Sequence, residues 1–344
     1  MATNASKFDH AYGTLAGLAI GDALGMPSQT LKPDEIRQHY GQITGFVAPF
    51  ADHPVAHGLA AGQITDDTEQ TLLLARRLID GNGQIDEWQL AQDLLAWEAD
   101  IRARGLRDLL GPSTKAALDA MLEGKPITEM GKAGTTNGAA MRIAPIGLAT
   151  PIEPLAHFVD KVELACRMTH NTGEAIAGAA AVAAIISCGL DGASYKAATR
   201  VALMAAQEGQ KRGHQVGEGN MTSRIEAALA AAERKVSAND FANQIGTSVE
   251  TYESVATAFG LVSLAGGDPW KVTLMAANVG GDTDTIGSIA GAMAGACSGI
   301  SAFPQHALPT ILSVNSLPLK AIARDLIQLR DNMATTADLQ ESCL

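Results

Sequence analysis

Apolar residues recur along this chain at spacings of three and four, the mark of helices with one buried face. The pattern predicts helices over Phe8 to Leu24, Asp67 to Asp80, Asp86 to Ala103, Ser113 to Leu122, Pro154 to Met168 and Gly173 to Cys188. It continues over Ser194 to Gly209, Thr222 to Lys235, Ser254 to Leu264, Asp268 to Asn278 and Leu317 to Asn332. Convincing alternation of β-branched residues is absent, so the expected fold class is all-α. Gly and Pro punctuate the segment ends rather than forming a linker. No fixed-period repeat or composition shift divides the chain. One domain over 8–332 is expected, with a loose tail over 333–344 and a polar surface excursion from Gly209 to Asn220.

Two apolar stretches need separate treatment. Ile286 to Phe303 is uncharged and sets Gly287, Gly291, Gly295 and Gly299 four residues apart, the spacing of close helix contacts in membranes. It is marginal in length for a span, follows two aspartates and lacks a Lys or Arg anchor. A buried helix in close contact with a neighbour is expected. Ala175 to Leu190 is too short to span and reads as a second core helix.

The 344 residues are 47% apolar and only 18% charged, enough for a sizeable core, and with 4% aromatics that core must pack small side chains closely. A net charge of −12 without any basic run excludes a nucleic-acid surface. Cys166, Cys188, Cys297 and Cys343 are scattered, with neither CxxC nor zinc spacing, so free thiols in a reducing compartment are expected. The first ten residues lack the regions of a signal peptide. A cytoplasmic location is expected.

The candidate chemistry lies in two acidic clusters. One is Thr65-Asp66-Asp67-Thr68; the other is Gly280-Gly281-Asp282-Thr283-Asp284-Thr285-Ile286-Gly287. Each runs directly into a helical apolar segment. Asp and Thr also cap helices, and either cluster alone reads as a cap. Together, with acidic residues doubled where one cap would suffice, they suit hard divalent cations, which take carboxylate, hydroxyl and water oxygens. Four carboxylates also balance the charge of two such ions.

Weaker signals accompany them. Gly21-Asp22-Ala23-Leu24-Gly25 suits a tight helix end, with Asp22 as a cap or a residue that orients a ligand. Thr135-Thr136-Asn137-Gly138-Ala139-Ala140-Met141-Arg142 reads as a loop whose hydroxyls, amide and backbone N–H groups suit a polyol or phosphate, or as an ordinary Asn-Gly turn. His170 precedes the helix from Gly173 and either bonds a ligand or satisfies a helix terminus. No nucleophile triad, P-loop or dinucleotide fingerprint is present. Metal-activated water is the simplest chemistry left.

Taken in order, Gly21–Gly25, Thr65–Thr68, Asn137–Arg142, Thr169-His170 and Gly280–Gly287 resemble the signatures of the ADP-ribosylglycohydrolase family, over about residues 8 to 330. The resemblance implies a compact all-α fold with two Mg²⁺ (or Mn²⁺) ions in a cleft. It implies Thr65, Asp66, Asp67, Asp282, Asp284 and Thr285 as metal ligands, with Asp284 bridging. Gly134, Thr135, Thr136, Asn137 and His170, with Gly280 and Gly281, would hold the ribose and diphosphate of the substrate. The family commonly has a glutamate where this chain has Gln29, which can offer a carbonyl oxygen but cannot accept a proton. After Thr169-His170 the family often continues with proline or an acidic or histidine residue, and this chain has Asn171-Thr172-Gly173.

The expected activity is metal-dependent hydrolysis of an N- or O-glycosidic bond to a ribosyl group. Asp66, Asp67 or Asp284 would serve as base, with Gln29 at the reacting zone. ADP-ribosyl groups on protein side chains lead as substrate, which would make an ADP-ribosylated protein the partner. One rival is hydrolysis of a small nucleoside- or nucleotide-like metabolite. The other is a non-catalytic, crystallin-like or ligand-binding protein, against which the intact ligand set speaks.

Overall fold

In the computed structural model, which describes residues 4–105 and 111–341, α1 (Asn4–Gly25) lies antiparallel to α15 (Thr283–Ser298) at backbone contact. The sequence dictates this closeness. Gly13, Gly17, Gly21 and Gly25 form a stripe four residues apart on α1, meeting Gly295, Gly291, Gly287 and Thr283 on α15. A Cβ on Gly21 would stand 2.0 Å from the Gly287 carbonyl oxygen, and one on Gly295 would stand 2.1 Å from that of Gly13. The close contact expected of the uncharged C-terminal helix is therefore present, with α1 as its partner.

Around this pair the described residues form seventeen α-helices and no strand, only the isolated bridges Thr136–Glu250 and Thr172–His214. The fold is all-α, a single compact domain. The Ala-rich α9 (Gly173–Leu190) is long and apolar enough to cross a membrane by composition, and all of it is buried in the core. Against it pack α10 (Tyr195–Gly209), α13 (Thr251–Ala265) and α15. One apolar core runs continuously from Ala11 to Leu329, and a satellite core under α4 (Glu87–Ala103) and α5 (Pro112–Leu122) joins Leu94, Leu118 and Met121 to Met168.

Five short helices lie outside the periodic segments: α2 (Pro33–Tyr40), α6 (Gly138–Arg142), α7 (Ala144–Ala149), α12 (Ala238–Ile245) and α16 (Ala307–Val314). With five to eight residues each, they barely complete the period by which a helix is recognised. The segment 135–142, read from sequence as a loop, is thus loop to Asn137 and helix thereafter. Helix α17 (Leu319–Glu341) carries into the segment expected to be loose, and residues 342–344 of that segment lie outside the described residues. Cys166, Cys188 and Cys297 are free; Cys343 is also outside them.

Candidate active site

Two helix N-termini meet at the base of one cavity. Asp66 and Asp67 occupy the first turn of α3 (Asp66–Asp80), and Asp284 the first turn of α15, with Asp282 at its N-cap. The glycine seam brings the second cluster in: Gly25 lies so close that an added Cβ would be 2.5 Å from Asp284 Cα. Thr285 Oγ1 donates to Asp67 Oδ2 at 3.4 Å and bridges the clusters.

Asp22 positions the first cluster. Its carboxylate, fully buried on α1, accepts from the Thr65 N–H at 3.0 Å, the Thr65 hydroxyl at 2.7 Å and the Thr68 N–H at 3.2 Å, and from the Thr68 hydroxyl. Thr65 is the N-cap of α3 yet makes no side-chain capping bond of its own. Asp22 caps the helix from a neighbouring element instead, satisfying donors that the terminus would otherwise leave open. The Thr65 hydroxyl thereby spends its proton on Asp22 and keeps its lone pairs. Burial pushes the Asp22 carboxyl up to about 6, against the pull of these hydrogen bonds.

The four aspartates lie close together in the interior. Burial raises Asp66, Asp67 and Asp284 well above the usual carboxylate range, and their mutual repulsion raises them further. Burial also raises Asp282, while hydrogen bonds led by Asn137 pull it back. Asp67 Oδ1 is buried with no hydrogen-bond partner, a costly state for a carboxylate oxygen. Among the described residues no three His, Cys, Asp or Glu side chains stand in ligating geometry. In charge and donor type the set fits Mg²⁺ or Mn²⁺: four carboxylates, the Thr65 and Thr285 hydroxyls, and an unpartnered oxygen.

The cavity above them, about 160 Å³, is lined by Asp66, Asp282, Asp284 and Thr285 on one side and by Gln29, Thr136, Asn137 and Gly138 on another. Asn137 is held by its N–H to the Val249 carbonyl at 2.9 Å, and its Nδ2 donates to Ser254 Oγ at 2.9 Å and to Asp282 Oδ2. Gln29 is 7% exposed, and its Nε2 has no partner. Gly280 and Gly281 sit behind the wall with φ of +79° and +76°. There Gly281 pairs with Thr30 and Leu31 at 2.7 and 2.9 Å, locking the Gln29 segment to the Asp282 loop.

Other residues named from the sequence stand back from the cavity. His170 is fully buried behind Gly138, whose added Cβ would meet its ring at 2.9 Å. Gly134 offers its carbonyl to Thr172 Oγ1 at 2.7 Å, and Thr135 offers its own to the Thr251 N–H at 3.1 Å. Sequence reasoning overlooked Val55, Thr114 and Val249, which line the cavity, and Thr247, whose carbonyl takes the Asp282 N–H at 2.7 Å. These are main-chain and wall contacts from two separate loops and the first turn of α5, and no residue type marks them.

Comparisons with known proteins establish the family. The family model described as ADP-ribosylglycohydrolase matches residues 3–336. The chain belongs to the ADP-ribosylglycohydrolase family. Its members are hydrolases that cleave glycosidic bonds, and this protein is an enzyme of that class. It is similar to the uncharacterized protein YegU of Escherichia coli (strain K12), 35% identical over 94% of this chain and 98% of the relative. It is also similar to the ADP-ribosyl-[dinitrogen reductase] glycohydrolase of Rhodospirillum rubrum, 28% identical over 88% of this chain and 90% of that one. A solved ADP-ribosylglycohydrolase-related protein complex shares the fold, with a TM-score of 0.68 and 25% identity over 95% of this chain and 99% of that one.

Proposed function

We propose that this ADP-ribosylglycohydrolase-family enzyme is a dinuclear-metal hydrolase that releases an ADP-ribosyl group from a protein side chain by cleaving its N- or O-glycosidic bond. The observation that carries this reading is the convergence of four mutually repelling aspartates at two helix N-termini, at a cavity whose facing wall carries the neutral hydrogen-bonding groups of Gln29, Thr136 and Asn137. Thr65, Asp66, Asp67, Asp282, Asp284 and Thr285 would hold two Mg²⁺ or Mn²⁺ ions. When bound, such ions polarise substrate oxygens and make a water nucleophilic near neutral pH.

The remaining work falls to the chain. Asp66 or Asp284, which line the cavity, would take a proton from an attacking water. Gln29 cannot, but its free Nε2–H can hold a substrate oxygen. Asn137 fixes Asp282 and keeps that carboxylate facing the cavity. The volume of about 160 Å³ is small beside the roughly 300–1,000 Å³ of sites for drug-sized ligands. It suits the ribosyl ring, with the rest of the nucleotide beyond it. The protein-borne substrate follows the relative from Rhodospirillum rubrum, whose name specifies one.

The test is release of ADP-ribose from an ADP-ribosylated protein and from small ADP-ribosyl compounds, with calorimetry for Mg²⁺ and Mn²⁺. Asp66→Ala and Asp284→Ala should each abolish turnover and the uptake of at least one ion. Chelation should stop the reaction and lower the melting temperature, because a ligand bound by the native state alone stabilises it. A chelated enzyme that turns over at the full rate, or a protein that takes up no divalent ion, overturns the reading. Cleavage of small compounds alone would move the substrate to the metabolite class.

A further inference from the structure

Arg142 heads the largest side chains buried in the molecule, yet the site described above gives it no task. Its hydrogen-bond partners are neutral: Nη1 donates to Gln70 Oε1 at 3.3 Å, and Nη2 donates to Thr169 Oγ1. Both arms return to the cavity. On one, Gln70 Nε2 donates to Asp66 Oδ2 at 3.3 Å. On the other, Thr169 Oγ1 meets His170 Nδ1 at 2.7 Å, and His170 Nε2 meets Thr136 Oγ1 at 3.1 Å. Thr136 lines the cavity and is 6% exposed.

A guanidinium donates and never accepts, which gives the chain a direction. Gln70 must turn its oxygen to Arg142 and its amide N–H groups to Asp66. Thr169, having accepted from Arg142, has one hydroxyl proton, and its one other partner among the described residues is His170 Nδ1. His170 is then the neutral Nε2–H tautomer and donates to Thr136. The Thr136 hydroxyl, having accepted, has its own proton left and no protein acceptor for it among the described residues. Burial and the neighbouring Arg142 hold His170 well below the usual imidazole range, which keeps the ring neutral at physiological pH.

We propose that Arg142 is a positioning residue that polarises this buried chain, so that Thr136 presents a hydroxyl proton to an acceptor oxygen of the bound ADP-ribosyl group while Gln70 fixes Asp66 opposite it. The substrate part of the proposal rests on the hydrolase reading above. Were the chain reversed, Thr136 would offer a lone pair instead. The diphosphate, which only accepts, could then gain nothing from it.

The tautomer can be read without substrate, by ¹⁵N NMR of His170 in the full-length protein. Wild type should show protonated Nε2 and bare Nδ1. Thr169→Ser should keep that signature, and Thr169→Val should lose it, as should Arg142→Met if it folds. With an ADP-ribosylated protein as substrate, Thr169→Val should raise KM roughly 3–10-fold, the net worth of one neutral hydrogen bond, with kcat little changed. Thr136→Val should do the same, and the double variant should be no worse than either, as for residues acting through one contact. A wild-type ring protonated at Nδ1, or additive effects in the double variant, overturns the proposal. An enzyme inactive on every ADP-ribosyl compound overturns the activity reading instead, and the NMR result still decides the chain.

Discussion

Gly17 and Gly291 face each other across α1 and α15 with no room for a side chain on either. A Cβ on Gly17 would stand 2.2 Å from the Gly291 carbonyl oxygen, and one on Gly291 would stand 2.1 Å from that of Gly17. The obstacles are backbone atoms, so a substitution must part the helices. The same seam continues to Gly25 against Asp284, which couples stability to the placement of the acidic clusters. Gly291→Leu should therefore cost about 1–3 kcal/mol or more by overpacking and should also weaken Mg²⁺ binding. Thermal melts and calorimetry check both, and a variant melting with wild type would show the seam to be looser than drawn.

Asp22 gives a sharper separation of capping from function. Asp22→Ala removes an acceptor from two N–H groups and two hydroxyls at the start of α3. Loss of a cap costs about 0.5–2 kcal/mol, and donors left unpaired in the interior add about 1–3 kcal/mol. Asp22→Asn is expected to fall only slightly less far, since its amide turns donors toward donors. If Thr65 and Asp66 owe their placement to this carboxylate, Mg²⁺ affinity drops in both variants. Lowered stability with unchanged Mg²⁺ affinity would reduce Asp22 to a cap.

Much of this was legible in the sequence because the signals are local. Helical periodicity exposes the long helices, and the doubled aspartates Asp66-Asp67 and Asp282/Asp284 stand out against ordinary caps. The glycines of α15 were legible as a contact face, whereas their partners were not. Gly13, Gly17, Gly21 and Gly25 carry the same spacing, but which two stripes meet is a relation across more than 250 residues that no local pattern encodes. The same limit hid the polarity of Arg142, Thr169 and His170: the sequence marks the residues, but only the fold lines them up into one chain. His170, expected to hold substrate, stands one residue behind Thr136.

His53 should leave a mark on the pH dependence of stability. It is buried, and its Nδ1 accepts from the Val55 and Ala56 N–H groups at 3.2 and 2.9 Å. Burial lowers the ring to about 4, with His57 and His39 adding to the shift against a pull from the Gln29 backbone. An unfolded histidine titrates near 6.5. Between those values the unfolded chain binds a proton that the native state refuses, so this ring's contribution to stability is lost as pH drops from about 6.5 toward 4. The raised aspartates contribute the opposite slope, so the comparison is between variants: His53→Gln should lose less stability than wild type, or gain more, over this range. Melting temperatures that change in parallel for both proteins would refute it.

The last expectation concerns Gln29, where the sequence leaves the pattern usual in its family. Gln29 borders the cavity beside Asp66 and Asp284, with its Nε2 buried and unpartnered. A donor so placed should be satisfied by a substrate oxygen, so Gln29→Ala should lose activity chiefly through KM. Gln29→Glu replaces the donor by an acceptor and adds a fifth carboxylate to the cluster. Without divalent ions it should therefore melt below wild type, since like charges in a buried cluster repel. With ions bound it separates two roles. If the position only offers an oxygen to metal or ribose, the glutamate is tolerated. If the missing carboxylate narrows the substrate range, Gln29→Glu should raise ADP-ribosyl hydrolysis, by up to the roughly 10²–10⁴-fold of a positioned general base. Rates measured with protein-borne and small ADP-ribosyl substrates distinguish the two. Equal rates for wild type, Gln29→Glu and Gln29→Ala on every one of them would place Gln29 outside the reacting zone.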